Sequence, residues 1–415
     1  MTAFSYNVLH NTNGDPVPIE LGEEILRTVL DAGPVLDALI LELCQEDDRF
    51  PNLSTFFQAV RHYFAHLLPE KIEHDYFGQP IDPIIVQSQR WMTFENEFSR
   101  DVHRLIVAEG QHQNAIYFPN PTHEHHPESL FNIQPFVQRH PIITKSTPIA
   151  SAGSCFAIEI SQHLQASGFN YVVAEREPFW RAISKYPESS AAWGRIFNTP
   201  SFRQLADKAA GKIKLPDYEI YNINNECWEE PFRESVFYKS KKDLIDSRVP
   251  HNVACRQVFK KADVMIITLG LNEAWQHKRT GYFASNNPTF ASYYALFRHR
   301  VLSYQENLDA LNNMIDTLRS INPALKFIVS VSPIPFLATG LSDHTHVVVA
   351  NSRSKAMLQT VAEEFVRTHD GVYYFPSYEM VTNCIENPWA ADQRHVKPEA
   401  VAKVMQMFEE MFVAD

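Results

Sequence analysis

The sequence predicts an α/β fold: a mostly parallel sheet covered by helices on both faces, preceded by a helical domain. Three observations lead there. Helical periodicity alone runs from about residue 19 to 113, a proline-rich break follows, and after residue 128 short β-rich runs alternate with helical stretches. Such alternation marks a parallel sheet, because each parallel strand is reached by a crossover that lays a helix on one face.

In "LGEEILRTVLDAGPVLDALILELCQ", Ile25, Val29 and Leu30 share a helical face until Gly33-Pro34 interrupts it. Ser54 is placed to cap "STFFQAVRHYFAHLL", where Phe57, Val60, Tyr63, Phe64 and Leu67 form a stripe that reads as core. "YFPNPTHEHHPES" breaks the pattern with three prolines. The boundary is drawn there, so residues 1–127 form a helical domain and 128–415 the α/β domain.

In the second part "IASAGSCFAIEI" (149–160) is an apolar run that stops at Gly153, with Ser154, Cys155 and a helical pattern directly after. "DVMIITLG" (263–270), "KFIVSVSP" (326–333) and "VYYFPS" (372–377) read as buried parallel strands. Between them Tyr304, Leu308, Leu311, Ile315 and Leu318 repeat at helical spacing, as do Leu358, Val361 and Phe365. A last helix starts at Pro398, suited to a first helical position, and carries Val401, Val404, Phe408 and Phe412.

At 415 residues, 45% hydrophobic and 21% charged, the chain is long enough for two or three globular domains. A net charge of -12 argues against nucleic acid or an anionic membrane as the main partner. "MTAFSYNVLH" has no basic segment followed by an apolar core, and no apolar stretch approaches a membrane span. The five cysteines are odd in number and far apart, which suits a reducing cytoplasm better than a disulfide framework or zinc site. "HEHH" (123–126) sits in the proline-rich break without a frame of carboxylate or Cys ligands, so no metal is expected. No Gly-x-Gly-x-x-Gly or P-loop pattern appears, and no cofactor is expected.

In parallel sheets ligands bind beyond the carboxyl ends of the strands. At the first such end, Ser154 or Cys155 would stand at a helix N-terminus, in a field that favours an anion. The alternative is a small residue that lets the helix pack closely. At the second end, "TLGLNEAW", Gly270 permits a tight turn and Asn272 could aim its amide N–H at an oxyanion or simply cap a helix. In "AADQRHVKPEA", Asp392 and His395 stand three apart, a spacing at which the carboxylate can fix the imidazole tautomer.

The order nucleophile, Gly-x-Asn, Asp-x-x-His resembles that of SGNH (GDSL-like) hydrolases. More specifically, "IASAGSCFA", "ITLGLNEAW", "VSVSPIPFLAT", "SKAML" and "YFPSYEMV" resemble the GSCFA family, across about Phe131 to Phe412. The resemblance implies an SGNH-type three-layer α/β/α domain and ester-directed chemistry, without a substrate. Two positions depart from the SGNH pattern. Aligning the glycines of Gly-Asp-Ser and Gly153-Ser154-Cys155 places Cys155 over the serine, and Gly194-Arg195 stands where relatives tend to carry Gly-Asn. Gly194 would still offer a backbone N–H, with Asn198 a substitute for the missing amide.

Register favours Cys155 as nucleophile, with Ser154 beside it as a donor, His395 as base and Asp392 as its orienter. Burial of Cys155 as a packed residue is the competing reading. His344 and His346 are reserve bases, and Tyr378 and Glu379 either line the cleft or begin a helix. The expected oxyanion donors come from Gly194, Gly270 and Asn272. The expected function is a cytoplasmic hydrolase of a small-molecule or carbohydrate ester or thioester through an acyl-enzyme. An O-acyltransferase acting on a sugar, or a non-catalytic glycan- or acyl-carrier-binding scaffold, are the alternatives.

Overall fold

The computed structural model describes residues 118–122, 128–136, 138–178, 185–222, 226–286, 295–341 and 345–414. The stripes at 25–30 and 57–67 and the "HEHH" segment lie outside them. The chain divides after Phe118, and everything below belongs to the unit Pro119–Asp415.

That unit is built on four parallel strands in the order β1 (Ile149–Gly153), β4 (Val264–Leu269), β7 (Lys326–Val331) and β8 (Val372–Tyr374). Two antiparallel hairpins accompany the sheet, β2 (Ile220–Asn222) with β3 (Cys227–Glu229) and β5 (Glu273–His277) with β6 (Phe297–Val301). The helices are α1 (Cys155–Ala166), α2 (Thr199–Ala209), α3 (Lys241–Lys261), α4 (Tyr304–Ile321), α5 (Val347–Thr368), α6 (Ser377–Asn383) and α7 (Pro398–Phe412).

Side chains alternate across a strand, and both faces of this sheet are covered. Met265, Ile267, Leu269, Phe327 and Val329 enter one core with α2, α3, α4 and α5. Val264, Ile266 and Ile328 enter the other with α1, α6 and α7. The result is the expected three-layer α/β/α arrangement. Pro398 stands in the first turn of α7, as its missing N–H allows. "VYYFPS" is the run most shortened: the strand stops at Tyr374 and Ser377 already begins α6. No described helix is long and apolar enough to cross a membrane.

Candidate active site

Gly153 ends β1 opposite Thr268 of β4 at φ +153°, where a Cβ would lie 2.2 Å from the Thr268 hydroxyl. Only glycine lets the strands stay paired to that point. The chain then turns into α1 through Ser154, whose N–H donates to Thr268 Oγ1 at 3.0 Å. Its hydroxyl accepts from the Phe156 N–H at 3.3 Å and shares a hydrogen bond with Thr268 Oγ1 at 3.2 Å. Ser154 is 2% exposed, a helix cap turned inward. Cys155, the first residue of α1, is half-buried, whereas the thiols of Cys227, Cys255 and Cys384 are buried; Cys44 lies outside the described residues.

The field at the helix N-terminus is not the only influence on the Cys155 thiol. Burial pushes its thiol up; Arg195 pulls it back, Glu234 adds to the rise, and Arg394 opposes it. Desolvation of the thiolate wins, so the resting group is a thiol and a base has to remove its proton.

Gly194 lines the same cleft as Gly153 and Ser154. It adopts φ +70°, and a Cβ there would meet the Glu234 carbonyl oxygen at 2.0 Å. The Gly194 N–H has no hydrogen-bond partner among the described residues. The Ile196 N–H donates to the Gly153 carbonyl at 2.8 Å, which ties this segment to the end of β1. Asn272 is 4% exposed. Its side-chain oxygen accepts from Asn307 Nδ2 at 2.7 Å and its backbone N–H donates to Ser354 Oγ at 2.8 Å. The amide is therefore fixed with its Nδ2 donor uncommitted among the described residues.

Two expected donors are engaged elsewhere. The Gly270 N–H donates to the Phe197 carbonyl at 3.1 Å, so Gly270 shapes the turn and offers no donor to an oxyanion. Asn198 caps α2 by accepting from the Ser201 N–H, and its Nδ2 donates to the Ala284 carbonyl at 2.8 Å. It does not replace the amide missing beside Gly194.

Asp392 and His395 do come together. Asp392 Oδ2 meets His395 Nδ1 at 2.5 Å, and Oδ1 accepts the N–H groups of His395 and Arg394 at 3.0 and 3.1 Å. The His395 N–H, its ring and the Arg394 N–H hold the carboxyl down to about 2. The His395 side chain is 53% exposed. No hydrogen bond among the described residues joins it to Cys155 or Ser154. The loop nevertheless lies within electrostatic reach of the first turns of α1, since Arg394 acts on Cys155 and His395 on Glu159. Of the reserve bases, His346 caps α5 by accepting from the Val348 N–H at 3.3 Å, and His344 lies outside the described residues. Glu379 accepts from Tyr374 and Gln359, which makes it a brace between helices and strand rather than a cleft wall.

Sequence reasoning missed Lys355, which is 1% exposed and donates from Nζ to the Gly270 carbonyl at 2.9 Å and the Ser332 carbonyl at 2.7 Å. The signal was present: Lys355 stands three residues before Leu358, on the apolar side of its helix. Together with Ser354 it clamps the turns after β4 and β7, and so sets where Asn272 sits. Among the described residues no group of three His, Cys, Asp or Glu side chains is arranged to hold a metal ion.

A family model, that of the GSCFA family, matches residues 148–408. No curated protein matches the chain. Among solved structures, the chain is similar to a carbohydrate esterase family 3 from Talaromyces cellulolyticus at 12% identity, over 63% of this chain and 94% of that one, with a TM-score of 0.29. A Clostridium thermocellum family 3 carbohydrate esterase follows at 13% identity, 64% and 95% coverage, and a TM-score of 0.28. The acetyl xylan esterase Est2A from the rumen bacterium Butyrivibrio proteoclasticus is similar at 11% identity, 64% and 63% coverage, and a TM-score of 0.27. Likeness at this level does not decide the chemistry, which has to come from the residues.

Proposed function

The chain belongs to the GSCFA family, and on that premise we propose that it is an SGNH-type hydrolase that cleaves ester bonds through a thiol acyl-enzyme on Cys155. The observation that carries this reading is the contrast between two neighbours. Cys155 is partly open at the N-terminus of α1, while the Ser154 hydroxyl is buried and committed to Phe156 and Thr268.

His395, oriented by Asp392, takes the thiol proton as Cys155 Sγ attacks the ester carbonyl. The contact between them forms as substrate binds, since catalytic hydrogen bonds often tighten only in the complex. Charge that develops on the carbonyl oxygen meets the N–H groups of Cys155 and Gly194 and the Asn272 amide. Collapse breaks the ester C–O bond, and the alcohol leaves with the proton from His395. His395 then draws a proton from water as its oxygen attacks the thioester, which releases the acid and restores the thiol. The small cavity beside Gly153 and Ser154 is bordered by Ser235, Glu177, Glu188 and Arg195, so the surroundings of the proposed nucleophile are polar.

Intact-protein mass after incubation with acyl thioesters and acetylated sugars tests the reading. An acyl adduct on wild type that is absent from Cys155→Ala supports it. An adduct that persists in Cys155→Ala rules out this nucleophile. Release preferentially onto a sugar hydroxyl would make the protein an acyltransferase, and tight glycan binding with no turnover of any ester a scaffold.

A further inference from the structure

The charge that acts most strongly on Cys155 is that of Arg195. The guanidinium of Arg195 makes no hydrogen bond to any described residue, and its Nε is buried without a partner. The nearest carboxylate oxygen, Glu188 Oε2, is 3.9 Å from its terminal nitrogen, beyond hydrogen-bond distance. A guanidinium carries five N–H donors, and leaving them unpaired in a half-buried site is costly. Arg394, in the loop that carries His395, also acts electrostatically on Cys155. One of its terminal nitrogens donates to the Pro335 carbonyl at 3.3 Å, and its Nε is also buried and unpaired.

Neighbouring carboxyl groups offset part of this charge without hydrogen-bonding the guanidinium: Glu188 forms an ion pair at 3.9 Å, and Arg195 and Glu234 act on each other electrostatically. Glu234 Oε2 is itself buried without a partner. Burial pushes the Glu234 carboxyl up even though Arg195 pulls it down, and it pushes Glu159 and Glu177 up as well. Two cations with spare donors thus act on the thiol, in a protein whose net charge is -12.

We propose that Arg195, which lines the same cleft as Gly153 and Ser154, forms a recognition site for an anionic group beside Cys155, with Arg394 adding to the positive field there, so that the accepted ester carries a carboxylate or phosphate close to its reacting carbonyl. This rests on Cys155 as the reacting thiol. Planar guanidinium groups pair with either anion in bidentate fashion and supply both charge and orientation.

Alkylation tests the site without requiring turnover. Iodoacetate and iodoacetamide present the same reactive carbon, one with a carboxylate and one without. On wild type, the iodoacetate-to-iodoacetamide rate ratio at the Cys155 peptide should exceed that of free N-acetylcysteine roughly tenfold, the low end of what local charge does to encounter rates. Arg195→Gln should return the ratio to the reference value, and Arg195→Lys, which keeps the charge, should retain most of it. A wild-type ratio equal to the reference, or one unchanged in Arg195→Gln, overturns the proposal. With acetyl esters of glucose, glucuronate and glucose phosphate, Arg195→Gln should lower kcat/KM for one of the two anionic esters about tenfold more than for acetyl glucose. The ester that suffers more identifies carboxylate or phosphate. Equal losses on all three would overturn the proposal by placing Arg195 at the oxyanion instead. Should no ester be turned over, the proposed function fails, and the alkylation ratio still decides whether the anion site exists.

Discussion

The Ser154 hydroxyl caps α1 and meets Thr268, both on the inner side of the fold. Ser154→Ala should therefore cost about 1 kcal/mol of stability in urea denaturation, the usual value of a lost cap, while acyl-enzyme formation survives. Loss of the adduct in that variant would return the nucleophile to Ser154. Asn272 is held by Asn307 and Ser354 with its donor free, so Asn272→Ala should lower turnover by roughly 10²-fold with modest loss of binding, as the removal of one oxyanion donor does. Steady-state kcat and KM separate the two effects. The positions of Ser154, Cys155, Asn272, Asp392 and His395 were legible because residue type and spacing carry them. The allocation of their hydrogen bonds was not. Whether a Gly270 N–H is free depends on the Phe197 carbonyl, 73 residues earlier, and no local pattern encodes that pairing.

Elements with a uniform environment were the ones the sequence could reveal. β4 and β7 are apolar runs buried on both faces, and α4 and α7 have a single buried stripe. The hairpin strands "EAWQH" and "FRHRV" mix burial classes without alternation, and α3 hides behind Pro250. α5 was legible as a helix but not as a clamp, and the clamp has a pH signature. Burial lowers the Lys355 amine to about 7, against roughly 10.4 in an unfolded chain. Between those values the unfolded state binds more protons, so the Lys355 contribution rises with pH from about 7 to 10, and the burial penalty is complete below 7. A neutral amine has two N–H donors, which match the Gly270 and Ser332 carbonyls. Lys355→Met strands both acceptors at every pH but has no such dependence. Its stability deficit relative to wild type should thus be larger at pH 9.5 than at pH 6.5, by something on the order of 3 kcal/mol. Urea midpoints at the two pH values measure it, and a pH-independent deficit would mean that Lys355 remains charged throughout.

At the scale of the whole molecule, the question is where the independently folding part begins. The proline-rich break in "YFPNPTHEHHPES" is the ground for the proposal that residues 128–415 fold without 1–127. The segment ahead of β1 matters for a separate reason. Ile143 is fully buried and bridges Val413 just beyond α7, the Ile142 and Ile143 N–H groups donate to the Phe412 carbonyl, and Leu130, Ile133 and Phe136 pack on the same core. A fragment spanning 128–415 should unfold in one cooperative urea transition. A fragment spanning 148–415 would open the core beneath α7 and expose apolar surface that Ile143 and its neighbours cover. Losing even one such buried side chain costs about 2–5 kcal/mol, so the shorter fragment should be destabilised by at least that much. Equal midpoints for the two fragments would show that the segment 128–147 only decorates the domain. Failure of the longer fragment to fold cooperatively would show that residues 1–127 supply contacts the α/β unit needs.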